Sequence, residues 1–204
     1  KVITVRATGF DAAGQGGSVT ARLVDAAAAL TRPLAKLSPP RLYNALPRER
    51  LFDRLDAART HAALWIQGPP GAGKSTLVAS YIAGRRLPSI WYHVDDGDRD
   101  PATFFYYLGM AATPFSGKSR VGLPLLSAEF ASDLSGYARR CFQMLFALLP
   151  KPAVLVLDNY EDVDAASPLH ALMEQAVRQI PDGFNVIFVS RTAPLPLFAS
   201  LVVK

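Results

Sequence analysis

A strand, a glycine-rich turn and a helix follow one another without a break at residues 63–83, and few folds contain that succession. The segment reads ALWIQ, then GPPGAGKST, then LVASYIA. The turn satisfies the pattern G-x-x-x-x-G-K-[ST], whose glycines let the backbone wrap a phosphate while the following helix presents its positive end. We therefore predict a loop that binds the phosphates of a nucleotide. Its binding residues are Gly68, Pro69, Pro70, Gly71, Ala72, Gly73, Lys74, Ser75 and Thr76.

Three side chains have predicted chemical roles at this loop. Lys74 is expected to reach the outer phosphates and to act in catalysis, and the Ser75 hydroxyl to join the coordination shell of Mg²⁺. Asp158 follows four apolar residues and so ends a buried strand, at the edge where parallel sheets bind ligands. We predict that Asp158 is the second metal ligand and a catalytic residue. The alternative is an ordinary surface or helix-capping aspartate.

Short apolar runs alternate with helical segments through most of the chain. This alternation favours an α/β fold with a central parallel sheet and helices on both faces. A proline-rich passage separates these runs from a predicted strand at residues 1–10 and a helix at residues 19–30. We predict an N-terminal extension over residues 1–35 and a nucleotide-binding core over residues 36–204. The predicted core strands are ALWIQ (63–67), SIWYHV (89–94), AVLVL (153–157) and NVIFVS (185–190).

Helix boundaries are marked by capping residues. Asp100 precedes a proline at a predicted first helical position, Ser167 repeats this arrangement, and Gly84 is expected to end the helix after the phosphate-binding loop. Apolar residues at helical spacing predict a helix over about 128–149 with Cys141 on its buried face. Residues 111–125 are predicted to form a long exposed loop; it contains a second GKS, which no buried strand precedes.

The histidines and one acidic cluster are the remaining candidates for a site. His61, His93 and His170 are scattered without ligand spacing, so we interpret them as structural or surface residues. The cluster DDGDRD at residues 95–100 predicts a solvated turn. A lesser alternative places Asp96 or Asp98 near the terminal phosphate.

Charge and composition limit the partners and the location. Residues 1–60 hold 10 Lys/Arg against 5 Asp/Glu, and residues 61–204 hold 12 against 12, so the net charge of +5 lies in the N-terminal part. This excess fits a solvated surface or contact with nucleic acid. No apolar run approaches the ~20 residues of a membrane span. A single cysteine fits a reducing cytoplasm, where we expect the protein to be located.

Several blocks of the sequence, in order, resemble the signal-transduction NTPases (the STAND class) of the maltose-regulon-activator type, which are ATP-dependent, LuxR-family-like transcriptional regulators. The resemblance covers residues 36–204 and implies a three-layer P-loop NTPase fold of the additional-strand type, in which a strand lies between the loop strand and the Asp158 strand. Beside the phosphate-binding loop, the blocks are KLSPPRL (36–42), ALPRERLFDRLD (45–56), IWYHVDDGDRDPATFFYYL (90–108), LVLDNYEDV (155–163) and VIFVSRTAPLPL (186–197).

The same resemblance implies roles for two arginines. Arg191 is expected to sense the terminal phosphate and to act in catalysis, and Arg48, or the nearby Arg50, to lie beside the nucleotide. Members of the class are switches that rest with ADP, then bind ATP and self-associate when an inducer acts on a distal sensor region. Helical and sensor regions normally follow the core, and we expect them to lie outside this sequence.

One residue departs from the pattern of the family. Relatives usually carry an acidic residue directly after the metal-binding Asp158, and this chain has Asn159. Asparagine orients a water but cannot accept its proton. We therefore expect slow hydrolysis of ATP, with Glu161 or an aspartate of residues 95–98 as the substitute base.

A shorter resemblance concerns the N-terminal extension. ITVRATGF at residues 3–10 resembles the last strand of response-regulator winged-helix domains, which would place Arg6 near DNA phosphate. We accordingly expect DNA to be bound through a domain mostly outside this sequence. Two other functions stay open: an AAA-like remodelling ATPase, or a small-molecule kinase with Lys118 and Arg120 in a lid. A degenerate module that binds nucleotide only for structure is disfavoured, since Lys74 and Asp158 are both intact.

Overall fold

The computed structural model describes residues 34–43, 45–117, 122–130 and 132–198. The chain divides into two compact units, residues 1–34 and 35–204, and the second contains the elements below. The predicted N-terminal strand and helix, the winged-helix residues with Arg6, and the proposed lid residues Lys118 and Arg120 lie outside the described residues.

The described residues form one four-stranded, fully parallel sheet with the order β1-β4-β3-β2. β4 therefore lies between the loop strand and the strand that ends in Asp158, and this confirms the additional-strand arrangement. Each predicted strand is present, with ends that differ by no more than one residue. The strands are β1 (Ala63–Gln67), β2 (Ser89–His93), β3 (Ala153–Asp158) and β4 (Phe184–Ser190).

Helices cover both faces of the sheet, as parallel strands require for their crossover connections. Within the described residues, the helices are α1 (Glu49–Ala58), α2 (Lys74–Arg85), α3 (Pro101–Ala112), α4 (Leu134–Leu148) and α5 (Leu169–Val177). Helices α1 and α2 pack on one face, and α3, α4 and α5 pack on the other. The result is the predicted three-layer α/β fold.

The strand β3 shows why its sequence is apolar at every position up to Asp158. Val154 and Val156 contribute to the cluster under α1 and α2, whereas Leu155 and Leu157 contribute to the cluster under α3, α4 and α5. Successive side chains of a strand point to opposite faces, and here both faces are covered. Burial on both faces therefore holds β3 in place, and Asp158 lies at the end of this strand, at the edge of the sheet.

Capping residues set the ends of the helices, and two predicted ends are wrong. Asp100 accepts hydrogen bonds from the first amides of α3, as predicted. The helix predicted from residue 128 begins instead at Leu134, because the Asp133 side chain accepts the Gly136 amide at 2.8 Å and caps it there. Helix α2 continues through Gly84 to Arg85, and Arg86 in the left-handed conformation is its C-cap. Gly84 instead allows close packing, since the Cβ of a side chain there would lie 3.4 Å from the ring of Phe52 on α1.

The prediction of a long exposed loop at residues 111–125 is wrong in part. The first two residues complete α3, with Ala112 buried, and Leu123 packs into the core against Gly109. Cys141 is fully buried as predicted, and burial raises the pKa of its thiol. In the part of the chain that the structure describes, no helix is both long enough and apolar enough to cross a membrane.

Candidate nucleotide-binding site

The phosphate-binding loop joins β1 to α2 at the carboxyl edge of the sheet. Gly71 and Gly73 have φ angles of 75° and 77°, a left-handed conformation that glycine adopts without strain. The Lys74 ammonium group donates to the carbonyl oxygens of Gly68 at 2.8 Å and Pro69 at 3.1 Å. These contacts hold the lysine across the mouth of the loop, where a phosphate oxygen would replace the carbonyl acceptors.

Ser75 and Asp158 lie in direct contact, although 83 positions separate them in the chain. The Ser75 hydroxyl donates to Asp158 Oδ1 at 2.8 Å, and Asp158 is 2% exposed at the end of β3. One carboxylate and one hydroxyl suit Mg²⁺, which takes oxygen ligands and keeps several waters or phosphate oxygens. The described residues contain no group of three His, Cys, Asp or Glu side chains that could hold a metal alone. The site thus fits a Mg²⁺ ion that arrives with a nucleotide.

A cleft of about 340 Å³ extends from the loop to two further charged side chains. Arg191, which follows β4, and Glu161, which follows β3, line it together and form an ion pair of 2.9 Å between Nε and Oε1. Arg191 is 55% exposed, whereas Glu161 is 10% exposed and its Oε2 is buried without a hydrogen-bond partner. An unpaired buried carboxylate oxygen is costly in free energy.

Arg48 lies on the other side of the loop, beside a second pocket of about 290 Å³. Its guanidinium group is 3.5 Å from the position that a side chain on Gly73 would take. The pocket is also lined by Leu46 and Thr76, whereas Arg50 is not among its lining residues. The structure therefore places Arg48, rather than Arg50, beside the phosphate-binding loop.

The backbone conformation at position 159 is one that favours asparagine. Its φ angle is 60°, in the left-handed region, where asparagine is enriched among residues with a side chain. The backbone amide of Asn159 donates to Asp158 Oδ1 at 3.1 Å, and its side chain lines the cleft beside Glu161. Glu161 is thus the acidic residue that follows Asp158 in the chain and lines the cleft. It is the candidate for accepting the proton of an attacking water, which Asn159 cannot do.

The interpretation of residues 95–100 as a solvated turn is wrong for Asp98. Asp98 is fully buried and accepts hydrogen bonds from the Tyr92 hydroxyl at 2.6 Å, the Asp95 amide at 2.9 Å and the Lys36 ammonium group at 2.8 Å. Burial and this carboxylate raise the pKa of Tyr92. Asp96 is exposed and pairs with Arg99 at 2.9 Å. Neither Asp96 nor Asp98 lines the cleft beside the phosphate-binding loop.

His93 is the residue at the site that the sequence interpretation missed. Its Nδ1 lies 3.3 Å from Asp158 Oδ2, and its Nε2 donates to the carbonyl oxygen of Ser38 at 2.9 Å. The hydrogen bond with Asp158 raises the pKa of His93. A signal was present, because His93 ends β2 and pairs in register with Asp158 on the neighbouring strand. The rule that selected Asp158 from a strand end applies equally to His93.

The other two histidines agree with their structural interpretation. His170 is buried, with Nδ1 accepting from the Tyr160 hydroxyl at 3.1 Å and Nε2 donating to the Asp164 carbonyl at 3.0 Å. Burial lowers its pKa. His61 is exposed in the turn before β1.

A larger cavity of about 470 Å³ lies next to the cleft and shares Glu161 with it. Trp65, Tyr160 and His170 line its aromatic part, and the rest is lined by acidic residues including Asp162 together with Arg99 and small or aliphatic side chains. Burial and the neighbouring Glu161 raise the pKa of Asp162. Glu161 therefore lines both this cavity and the cleft beside the phosphate-binding loop. Its Oε1 pairs with Arg191, which lines the cleft.

Comparison with known proteins identifies bacterial transcriptional regulators as relatives. The chain is 34% identical over 175 residues to the HTH-type transcriptional regulator MalT of Serratia proteamaculans. It is 32% identical over 174 residues to MalT of Cronobacter sakazakii, and each match covers 83% of this chain. The chain spans about a fifth of the length of these relatives, 19% in both cases. No family model matches it.

Among solved structures, a Walker-type ATPase of Pyrococcus abyssi superposes with a TM-score of 0.49 at 17% identity, covering 79% of this chain and 48% of that one.

Proposed function

We propose that this chain, a nucleotide-binding P-loop NTPase module of the MalT type, is the ATP-dependent switch of a larger transcriptional regulator. It binds ATP or ADP with Mg²⁺, changes state according to which nucleotide is present, and hydrolyses ATP slowly. The observation that carries the proposal is the contact between Ser75 and Asp158 at 2.8 Å, formed across the sheet edge beside the phosphate-binding loop.

Each charged residue of the cleft has a task in this proposal. Lys74 binds the outer phosphate oxygens, and Ser75 and Asp158 hold Mg²⁺ against them. When bound, Mg²⁺ would supply positive charge that offsets the charge of the phosphate groups. Arg191 contacts the terminal phosphate, which ADP lacks. Its guanidinium is half exposed and pairs with Glu161, so a phosphate oxygen would compete with that carboxylate.

Slow hydrolysis follows from the position of the acidic groups. Asn159 can orient the attacking water but cannot take its proton. Glu161 has an unpaired Oε2 for that purpose, but its other oxygen is engaged by the Arg191 cation. The arrangement therefore supports a switch whose ATP state persists, rather than a motor.

The remaining steps concern the larger protein. We propose that the ATP state exposes a surface for self-association when an inducer acts on a sensor region, and that DNA is bound through a separate domain. The second step is supported by the relatives, which are HTH-type transcriptional regulators. A regulator that reads DNA and ATP in a bacterium works in the cytoplasm, where we place this protein.

Calorimetric titration with ATP and ADP, with and without Mg²⁺, tests the proposal. We expect saturable binding that Mg²⁺ strengthens. Lys74→Ala should weaken it about 100-fold or more, because Lys74 carries the only side-chain charge in residues 68–76. Lys151→Ala is the matched control, since that exposed lysine precedes β3 at the opposite edge of the sheet. Equal weakening by both variants, or no binding by the wild type, would overturn the proposal.

Two further measurements address the switch itself. Light scattering by the full-length protein should report a larger mass with ATP than with ADP in the presence of inducer. Phosphate release should be slow compared with motor ATPases. A turnover comparable with such enzymes would instead favour the AAA-like remodelling ATPase.

A further inference from the structure

We propose that residues 35–43, here called the linker, are a working part of the Mg²⁺ site. Ser38 of the linker holds His93, and His93 positions Asp158, so docking of the linker and binding of the Mg²⁺-nucleotide strengthen each other. His93 is a positioning residue in this scheme. The inference rests on the proposed function, because it assigns a role to His93 only if Asp158 holds Mg²⁺.

A continuous series of polar contacts connects the linker to the phosphate-binding loop. The Ser38 carbonyl accepts from His93 Nε2 at 2.9 Å, His93 Nδ1 lies 3.3 Å from Asp158 Oδ2, and Asp158 Oδ1 accepts from Ser75 at 2.8 Å. The two oxygens of Asp158 thus have different partners. Oδ1 faces the serine that would share the metal, and Oδ2 is left to the histidine.

The linker is fixed to the core by a contact independent of His93. Lys36 inserts its ammonium group between Asp98 at 2.8 Å and Asp95 at 2.5 Å, and its side chain is only 14% exposed. The Tyr92 and Tyr107 rings lie 5.1 Å and 5.5 Å from the same ammonium group. A lysine held by a fully buried carboxylate is a specific anchor, whereas surface ion pairs are weak and interchangeable.

The linker and Asp158 are coupled because the imidazole ring of His93 contacts both Ser38 and Asp158. When Ser38 holds Nε2, the orientation of the ring is fixed, and with it the position of Asp158 Oδ2. Groups that orient a metal ligand in this way typically change metal affinity or activity by about 10–100-fold when removed. Binding free energies are reciprocal, so a nucleotide that needs an ordered Asp158 must in turn stabilise the docked linker. The linker joins residues 1–34 to the core, and this places a nucleotide-sensitive contact at that junction.

Metal-dependent binding separates positioning by His93 from a general structural role. We would measure the affinity of the whole chain for ATP with Mg²⁺ and with EDTA in the wild type, His93→Ala and His93→Gln. His93→Ala should lose about 10–100-fold in affinity with Mg²⁺ while its affinity in EDTA changes less than about twofold. His93→Gln, which keeps one donor, should lose less. His61→Ala is the matched control, and its affinities should equal those of the wild type.

Perturbing the linker tests the other half of the coupling. Lys36→Met should weaken binding of ATP with Mg²⁺ but not in EDTA, because it loosens the linker without touching the cleft. Arg41→Met is its control, since Arg41 is exposed and its guanidinium bonds to Tyr43 two residues away in the same segment. Hydrogen exchange of the linker amides should slow when Mg²⁺ and ATP are added to the wild type, and should not slow in His93→Ala.

The outcomes distinguish failure of this inference from failure of the proposed function. If the wild type does not bind ATP with Mg²⁺, the proposed function fails and the inference fails with it. If the wild type binds but His93→Ala is equally weakened with Mg²⁺ and with EDTA, or is unaffected, the coupling is refuted and the nucleotide site stands. Unchanged linker exchange in the wild type also refutes it. Should Lys36→Met not fold, the His93 series and the exchange measurement decide the matter.

Discussion

Substitution of Lys36 by methionine should destabilise the core far more than loss of a surface charge. The Lys36 ammonium group lies 2.8 Å from Asp98, whose side chain is fully buried. At that distance the attraction is about 6 kcal/mol for an effective dielectric constant of about 20, before desolvation is subtracted. Removing one partner of a buried pair typically costs about 3–5 kcal/mol, because the other charge stays buried. Asp98 keeps the Tyr92 hydroxyl and the Asp95 amide as donors, so we expect about 3 kcal/mol.

Urea unfolding followed by the fluorescence of Trp65 and Trp91 measures this loss through the shift in midpoint at constant slope. The double variant Lys36→Met/Asp98→Asn should be more stable than Lys36→Met alone, because it removes the uncompensated charge. Arg41→Met should change stability by less than about 0.5 kcal/mol. A loss below about 1 kcal/mol for Lys36→Met would place the contact among ordinary surface pairs and refute the reasoning. Strict additivity in the double variant would refute it as well.

Three other predictions concern the cleft and its surroundings. Arg191→Ala should lower the preference for ATP over ADP about tenfold, as one charge-assisted contact to the terminal phosphate is lost; an unchanged ratio of the two calorimetric affinities would contradict this. Glu161→Gln should slow phosphate release about 100-fold while ATP still binds, and unchanged turnover would exclude Glu161 as the base. Burial lowers the pKa of His170 in the folded protein. As the pH falls below about 6.5, His170 therefore takes up a proton in the unfolded chain before it does so in the folded chain. Between pH 7.5 and pH 5.5 this histidine should therefore lower the free energy of unfolding of the wild type relative to that of His170→Gln; parallel urea-stability profiles of the two proteins would contradict it.

The parts of the fold that depend on local chemistry were predictable from the sequence. Strands buried on both faces are rich in apolar residues, so β3 and β4 were visible from the short apolar runs AVLVL and VIFV. A capping aspartate leaves a local signature, and Asp100 was recognised by the proline that follows it. The helix start at Leu134 was predicted six residues too early, because apolar spacing continues upstream of Asp133 and does not by itself reveal which residue caps. The order of the strands came from the resemblance to a family and not from the apolar pattern.

The residues of the candidate site also differ in whether the sequence alone could predict them. The phosphate-binding loop is contiguous in the chain, so Lys74 and Ser75 could be assigned from their spacing. Arg191 and Arg48 were placed by resemblance, and the structure locates both at the loop. The contact between His93 and Asp158 depends on which strands are neighbours, and 64 intervening residues hide it in the sequence.

The sequence by itself determined the strand, loop and helix at residues 63–83, because a turn that wraps a phosphate requires glycine at fixed positions. It also determined that Asp158 ends a buried strand. Only the tertiary structure decided what surrounds that carboxylate, since a parallel sheet brings together residues that are distant in the chain. It placed Glu161 between two cavities, buried Asp98 against Lys36, and put His93 between Asp158 and Ser38. The side chains that bind phosphate are encoded within one loop, whereas those that orient the metal ligand meet only when β2 and β3 pair.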